Sequence, residues 1–294
     1  MPDIVLEVSD LWFWYHNPDE IVLRGIDLSV SRGQFVALVG ANGSGKTTLV
    51  KHFNGLLRPR RGRVCVGGQD TAPCSVGELA RQVGFLFQHP EQQIFSATVC
   101  QEVAFGPHNL GLSPAEVDAG VEAALIRFDL AAIADTPPAI LSYGLRRRVT
   151  LASLAAMDPP VLVLDEPTVG LDAPGLRETF GWLAELQARG HTILLVTHDM
   201  ALVAEYAERA VVLHAGQILA DGRPDDLFRQ TDLLAHASLA PPPVMALAQA
   251  LQPYGLQGDS LTVEAFCSEY AALRSTLCLR TGQAASAAVV ESRP

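Results

Sequence analysis

Apolar residues along this chain change their spacing three times. Phe35–Val39 and Val161–Leu164 are continuous apolar runs, the pattern of strands covered on both faces in a parallel sheet. Thr192–Val196 reads as another such strand, and Ile4–Val8, Val22–Val30, Arg63–Val66 and Val83–Phe87 as further strands. Leu11–Tyr15 alternates in a way that predicts an edge strand with some of its rings buried. Ala210–Leu213 and Gln217–Ala220 predict a hairpin around Ala215-Gly216. From about residue 89 to 156 the spacing becomes helical. A helix is expected over Thr98–Phe105, stopped by Gly106-Pro107. Ser113-Pro114-Ala115-Glu116 is a capping box with proline at the first helical position, opening a helix to about Phe128. Another helix starts at Ser142, and Pro174 opens one that runs to Arg189 and closes at Gly190. Strands and helices alternate as in an α/β core, with residues 89–156 as a helical insertion.

Beyond about Ala235 the texture shifts. Pro241-Pro242-Pro243 marks a joint, two short helices are expected near Val244–Leu251 and Val263–Leu273, and the last dozen residues, rich in Ala and Ser, are expected to be disordered. Two regions follow, 1–235 and 236–294, the second a small dimerisation or regulatory element.

With 294 residues the chain can bury a full core and has room for an appendage. Its net charge of −11 argues against a general nucleic-acid surface, which needs clustered Lys and Arg. Arg58-Pro59-Arg60-Arg61-Gly62 reads as a solvated basic turn. The five cysteines form no C-x-x-C pair and read as thiols in a reducing compartment. Neither a signal peptide nor an apolar run of membrane-spanning length is expected, so any membrane role passes through a partner.

The chemistry starts at Gly40-Ala41-Asn42-Gly43-Ser44-Gly45-Lys46-Thr47-Thr48, which matches G-x-x-x-x-G-K-[ST] between an apolar strand and a helix marked by Leu49, Val50 and Phe53. Glycines let successive N–H groups converge into an anion site at a helix start. Lys46 is expected on the β- and γ-phosphates, and the Thr47 hydroxyl on Mg²⁺. Val161–Leu164 ends in Asp165-Glu166, the second half of such a site. Asp165 is expected in the Mg²⁺ shell, and Glu166, one residue on, is placed to polarise the attacking water. Gln88 and His198 also fall at strand ends, where ligands of parallel sheets gather.

Leu141-Ser142-Tyr143-Gly144-Leu145-Arg146-Arg147-Arg148-Val149, shortly before that acidic strand end, resembles the signature stretch of ABC-type ATPases, usually L-S-G-G-Q. Leu171-Asp172 resembles their D-loop, Gln88 their Q-loop glutamine, His198 their switch histidine and Tyr15 their adenine-stacking aromatic, so the resemblance runs from Ile4 to Phe228. A narrower match follows Gln88. Gln88-His89-Pro90-Glu91-Gln92-Gln93-Ile94-Phe95 and Glu102–Pro107 resemble the Q-N-P-x-x-Q-x-F and V-A-F-G-P stretches of energy-coupling factor, cobalt-type ATPases, with His89 in place of Asn. Pro241-Pro242-Pro243-Val244 resembles the start of that group's C-terminal extension.

The resemblance implies an α/β P-loop NTPase of the ABC ATPase kind, with an N-terminal antiparallel β subdomain, a helical insertion over about 89–156 and a small C-terminal extension. ATP would bind to Tyr15, Gly40, Asn42, Gly43, Ser44, Gly45, Lys46, Thr47 and Thr48, with Mg²⁺ on Thr47, Gln88 and Asp165. Glu166 and His198 would be catalytic. Two ATPase subunits would face head to tail, so that Ser142 and Gly144 cap the nucleotide of the other subunit. Tyr143 and Leu145 depart from the usual signature, and a homodimer carries that change at both sites. The implied role is to drive import of a vitamin or a transition-metal ion of the cobalt or nickel type. The chain would sit on the cytoplasmic face of the cell membrane with an integral coupling protein and a substrate-capture protein. Rival readings are an ABC importer fed by a soluble binding protein and a soluble ABC ATPase acting on nucleic acid.

Overall fold

The computed structural model describes residues 3–274. The expected disordered end and Cys278 lie outside the described residues. In chain order the strands are β1 (Ile4–Phe13), β2 (Leu23–Ser31), β3 (Phe35–Val39), β4 (Arg61–Val66), β5 (Gln69–Asp70), β6 (Val83–Leu86), β7 (Val161–Asp165), β8 (Thr192–Val196), β9 (Arg209–His214) and β10 (Gln217–Gly222). The helices are α1 (Lys46–Val50), α2 (Val76–Leu79), α3 (Val99–Leu110), α4 (Pro114–Arg127), α5 (Tyr143–Met157), α6 (Ala173–Ala188), α7 (Met200–Tyr206), α8 (Pro224–Phe228), α9 (Thr231–His236) and α10 (Pro243–Ala250).

A four-stranded antiparallel sheet has the order β2-β1-β4-β5, and a six-stranded sheet the order β10-β9-β3-β8-β7-β6. In the second, β6, β7, β8, β3 and β9 are parallel, and β10 closes the edge antiparallel to β9. The continuous apolar runs fall where full burial requires them: β3, β7 and β8 are buried at every residue. Leu49, Val50 and Phe53, on and just after α1, enter one buried cluster with Leu6, Leu11 and Leu28 of the antiparallel sheet and Val36, Val163 and Leu194 of the parallel one. Each such side chain contributes about 1.5–3 kcal/mol on leaving water, so the cluster anchors the glycine-rich loop from below.

Two expectations are corrected. Leu11–Phe13 is no edge: β1 is one bulged strand, paired with β2 on one side and β4 on the other. Arginines flank it there, because Trp12 lies opposite Arg24 and Arg61, and the Arg61 guanidinium covers the Trp12 ring at 5.7 Å. Nor does Gly106-Pro107 stop α3, which runs on to Leu110 and closes at Gly111, φ +75°. Pro107 sits near the helix end, and Gly106 before it has no Cβ to meet the proline ring. The missing Cβ also admits α5, since a Cβ on Gly106 would lie 2.5 Å from Met157 Sδ. The expected caps of the other two insertion helices are present: Ser113 and Glu116 form the reciprocal capping box of α4, and Ser142 caps α5.

The chain divides into two compact units, one built from residues up to His198 with Tyr206–Arg223, the other from Asp199–Glu205 with the residues from Pro224 onward. The second unit holds α8, α9, α10 and a helix over 263–274. Inside it Arg229 pairs with Asp259 at 3.3 Å, Ser260 Oγ donates to Glu269 at 2.7 Å, and the Phe266 and Tyr270 rings stack. Cys65, Cys74, Cys100 and Cys267 are free thiols. No helix among the described residues is long and apolar enough to cross a membrane.

Candidate nucleotide site

β3 delivers the chain into the glycine-rich loop, and one close approach makes the first glycine obligatory. A Cβ on Gly40 would lie 2.2 Å from the Leu213 carbonyl oxygen of β9. Gly45, φ +107°, precedes α1 without any side-chain cap. The N–H groups of Lys46, Thr47 and Thr48 lie ahead of any intrahelical acceptor, while Leu49 N–H already donates to Gly45 O at 2.8 Å. Asn42, Gly43, Gly45, Lys46, Thr47 and Thr48 line a cavity of about 360 Å³ that Val22, Gln88, Asp165 and Glu166 complete. Gly40 and Ser44 stand behind it, with Ser44 buried and its Oγ unpartnered.

The two halves of the site meet through one bond: the Thr47 hydroxyl donates to Asp165 Oδ2 at 2.7 Å, across 118 residues of sequence. Asp165 is nearly fully buried, and burial raises its pKa against the opposing pull of the Thr47 hydrogen bond. Lys46 is buried too. Its ammonium donates to Gly40 O at 2.8 Å and Ala41 O at 3.0 Å. Desolvation lowers its pKa, while the Glu166 and Asp165 carboxylates oppose that shift. A polyanion arriving here would meet donors already aimed and a cation already desolvated.

Glu166 adopts φ +48°, a left-handed conformation costing an ordinary residue about 1–3 kcal/mol. Its own N–H holds it there by donating to Val196 O at the end of β8, 2.9 Å away. One carboxylate oxygen is bound by His198 Nδ1 at 2.8 Å, and the other, buried, has no partner. His198 is otherwise exposed, with 67% of its side chain accessible. Tyr15 lies just past β1, 44% exposed, with its hydroxyl sharing a hydrogen bond with Thr48 Oγ1 at 2.9 Å and its ring set edge-on to Phe13. Beneath it, His52 is fully buried: Nδ1–H donates to Thr48 O at 2.8 Å, Nε2 has no partner, and burial pushes its pKa down to about 4.

Ser142 and Gly144 do not reach this cavity. They begin α5, where Ser142 Oγ accepts from Leu145 N–H at 3.3 Å. Two of the three arginines that follow are committed locally. Arg148 lies within 3.7–4.0 Å of Asp172, Glu178 and Asp129. Arg147, fully buried, donates to the carbonyls of Phe87, at 2.7 Å, and Gln88. Sequence reading missed Arg147 as the anchor of Gln88. The signal was a cation on the buried face that also carries Leu151 and Leu154, where an arginine must find acceptors. A larger cavity, about 610 Å³, lies among α4, α5 and α6, but five alanines line it and its Arg127 and Glu185 pair with each other at 2.6 Å. Its Arg189 and Asp158 pair likewise, at 3.3 Å, so its charges are spent on one another.

The sequence profile of the ABC transporter family matches residues 23–169. A putative ABC transporter ATP-binding protein of Caldanaerobacter subterraneus is 42% identical over 249 residues, which cover 85% of this chain but 44% of that relative. The chain thus spans less than half of that protein. Similarity over most of both chains occurs as well. The energy-coupling factor transporter ATP-binding protein EcfA of Methanocaldococcus jannaschii is 42% identical over 88% of this chain and 92% of its own length. The cobalt import ATP-binding protein CbiO of Syntrophus aciditrophicus is 39% identical over 92% and 98% respectively. Among solved structures, cbiO1 from Clostridium perfringens, part of the ABC transporter complex cbiONQ, matches with TM-score 0.69 and 36% identity over 79% of this chain and 94% of that one.

Proposed function

This chain belongs to the ABC transporter family of ATP-binding proteins, and from that premise we propose that it is the ATP-hydrolysing subunit of an energy-coupling factor importer of the cobalt type. One observation carries the enzymatic part: the Thr47–Asp165 hydrogen bond joins the phosphate loop to an acidic strand end inside one cavity.

The amides of the loop and Lys46 bind the phosphate chain of ATP, and the Tyr15 ring takes the base. Thr47, Asp165 and Gln88 offer hard oxygen donors around one cavity and fit Mg²⁺; when bound, the ion neutralises phosphate charge. Glu166 is the general base. His198 Nδ1 binds one of its oxygens, and the carboxylate, lining the cavity, takes a proton from the attacking water. Ser142 and Gly144 cap the nucleotide of a second ATPase subunit.

The membrane partner docks beside Gln88. Phe95 and Phe105 stand 64% and 46% exposed, edge to face at 4.5 Å, on a groove of about 290 Å³ that Gln93 and Met157 also line. Glu102, buried, holds the loop that presents Phe95 by accepting the N–H groups of Phe95 and Ser96 at 3.0 and 2.7 Å. A helix tip of an integral coupling protein fits such a groove, which keeps the ATPase peripheral on the cytoplasmic face.

The test is to solubilise membranes in mild detergent, purify the complex through this chain, identify its members and assay ATP hydrolysis. Recovery with one coupling protein and one small integral substrate-capture protein is expected, with Mg²⁺-dependent turnover. A conventional permease pair with a soluble binding protein would overturn the importer class, and absence of turnover in the intact complex would overturn the enzymatic reading.

A further inference from the structure

We propose that Arg60 is the positioning residue of the nucleobase pocket, holding Tyr15 where the base stacks. The inference deepens the reading of Tyr15 given above and rests on it. Tyr15 lies beyond the last residue of β1, so the ladder of the sheet does not hold its backbone. Arg60, 45 residues away in the turn before β4, takes over that task. Its Nη2 donates to Tyr15 O at 3.0 Å, its Nε to Trp14 O at 3.3 Å, and its backbone N–H to Trp12 O at 3.1 Å. The guanidinium carbon also lies 5.9 Å from the Trp14 ring centroid, a cation–π contact.

One side chain thus grips two successive carbonyls and covers the Trp14 ring, which a planar fork of donors can do and a lysine's point charge cannot. At its other end the Tyr15 ring is steadied by the Thr48 hydroxyl and the edge of Phe13. With Arg60 removed, both carbonyls turn to water and the ring keeps only its distal contacts. The loss falls on the base, because Arg60 does not line the phosphate cavity.

Base and phosphate contributions separate by comparing ATP with inorganic tripolyphosphate, which has no base. Arg60→Met, which keeps the stem, should weaken ATP binding about three- to tenfold, the worth of a hydrogen bond or two, and put the effect on KM rather than kcat. Tripolyphosphate affinity should stay as in the parent. Arg60→Lys should fall between the two. Tyr15→Ala is the reference, since base stacking is worth about 1–3 kcal/mol and its loss should weaken ATP at least as much. If Tyr15→Ala weakens ATP and Arg60→Met does not, Arg60 has no positioning role and the Tyr15 reading survives. If Tyr15→Ala leaves ATP affinity intact, the Tyr15 reading itself fails and takes this proposal with it. Equal weakening of ATP and tripolyphosphate by Arg60→Met would place the effect on the phosphates or the fold and refute the assignment.

Discussion

The chain begins two helices at the motifs proposed to bind phosphate, and it begins them in opposite ways. α1 opens behind a glycine that has no side chain to cap it, so its first amides are left for something else. α5 opens behind Ser142, whose hydroxyl takes the Leu145 N–H. α1 lies deep, with Lys46 tied to the carbonyls of Gly40 and Ala41 and two carboxylates across the cavity. α5 presents an exposed serine, and two of the arginines behind it are turned to Gln88 and to local acids. The difference teaches which half of the site depends on ligand. The α1 end leaves its first amides without intrahelical acceptors, and under the proposed function nucleotide would complete it. The α5 end has its Leu145 amide taken by its own serine, and under the proposed function it is the end offered to a neighbouring subunit.

Four measurements break or sharpen this contrast. Replacing Glu166 with Gln, on the α1 side, should lower ATP turnover by about 10²–10⁴-fold, the range of general acid–base catalysis, while ATP still binds; turnover near the parent value would remove Glu166 as the base.

The next effect is pH dependence beneath α1. His52 is neutral when folded, with its pKa lowered from 6.5 to about 4, so the unfolded chain binds the proton first as pH falls. Stability should therefore be full above pH 6.5 and decline as pH drops toward 4. By linkage this loss is ~2.5 kcal/mol between pH 7 and 4.5. Denaturant titrations at those two pH values should show His52→Gln, which can still donate to Thr48 O, losing less than the parent by that margin. Equal losses would mean that His52 titrates normally.

Lys46→Ala comes third. Losing a charged donor costs about 1.5–3 kcal/mol, or roughly 10–100-fold in ATP affinity, and the thermal stabilisation that saturating ATP confers should shrink accordingly. An unchanged shift would mean that the loop amides suffice. Ser142→Ala is the smallest: about 1 kcal/mol of stability, the worth of a helix cap. Calorimetry should find the same loss with and without ATP. A loss seen only with ATP would show that the isolated chain already uses this end for nucleotide.

What was legible in the sequence was what the chain encodes over a few residues. The capping box of α4, the Ser142 cap, the glycine-rich loop, the apolar strands and the acids at a strand end depend on spacings of one to five positions, and the structure contains all of them. The misreadings were also local rules, overruled by a neighbour that only folding supplies. Gly106-Pro107 reads as a stop, yet α5 needs the missing Cβ for close packing and the helix continues. The ring-rich end of β1 reads as an edge, yet β4 pairs with it from 48 residues on and buries it between two strands.

By itself, then, the sequence determined that the protein has a glycine-rich loop, an acidic strand end and an α/β frame to hold them, because backbone conformation and burial periodicity are short-range properties. The tertiary structure alone decided which side chains meet. Thr47 reaches Asp165, Glu166 reaches His198, Arg147 reaches Gln88, and Arg60 reaches Tyr15. The pairs are separated by 32 to 118 residues and joined by the strand order β10-β9-β3-β8-β7-β6 or by the turn before β4. No local spacing encodes those distances; they arise from the burial of one shared core beneath both sheets.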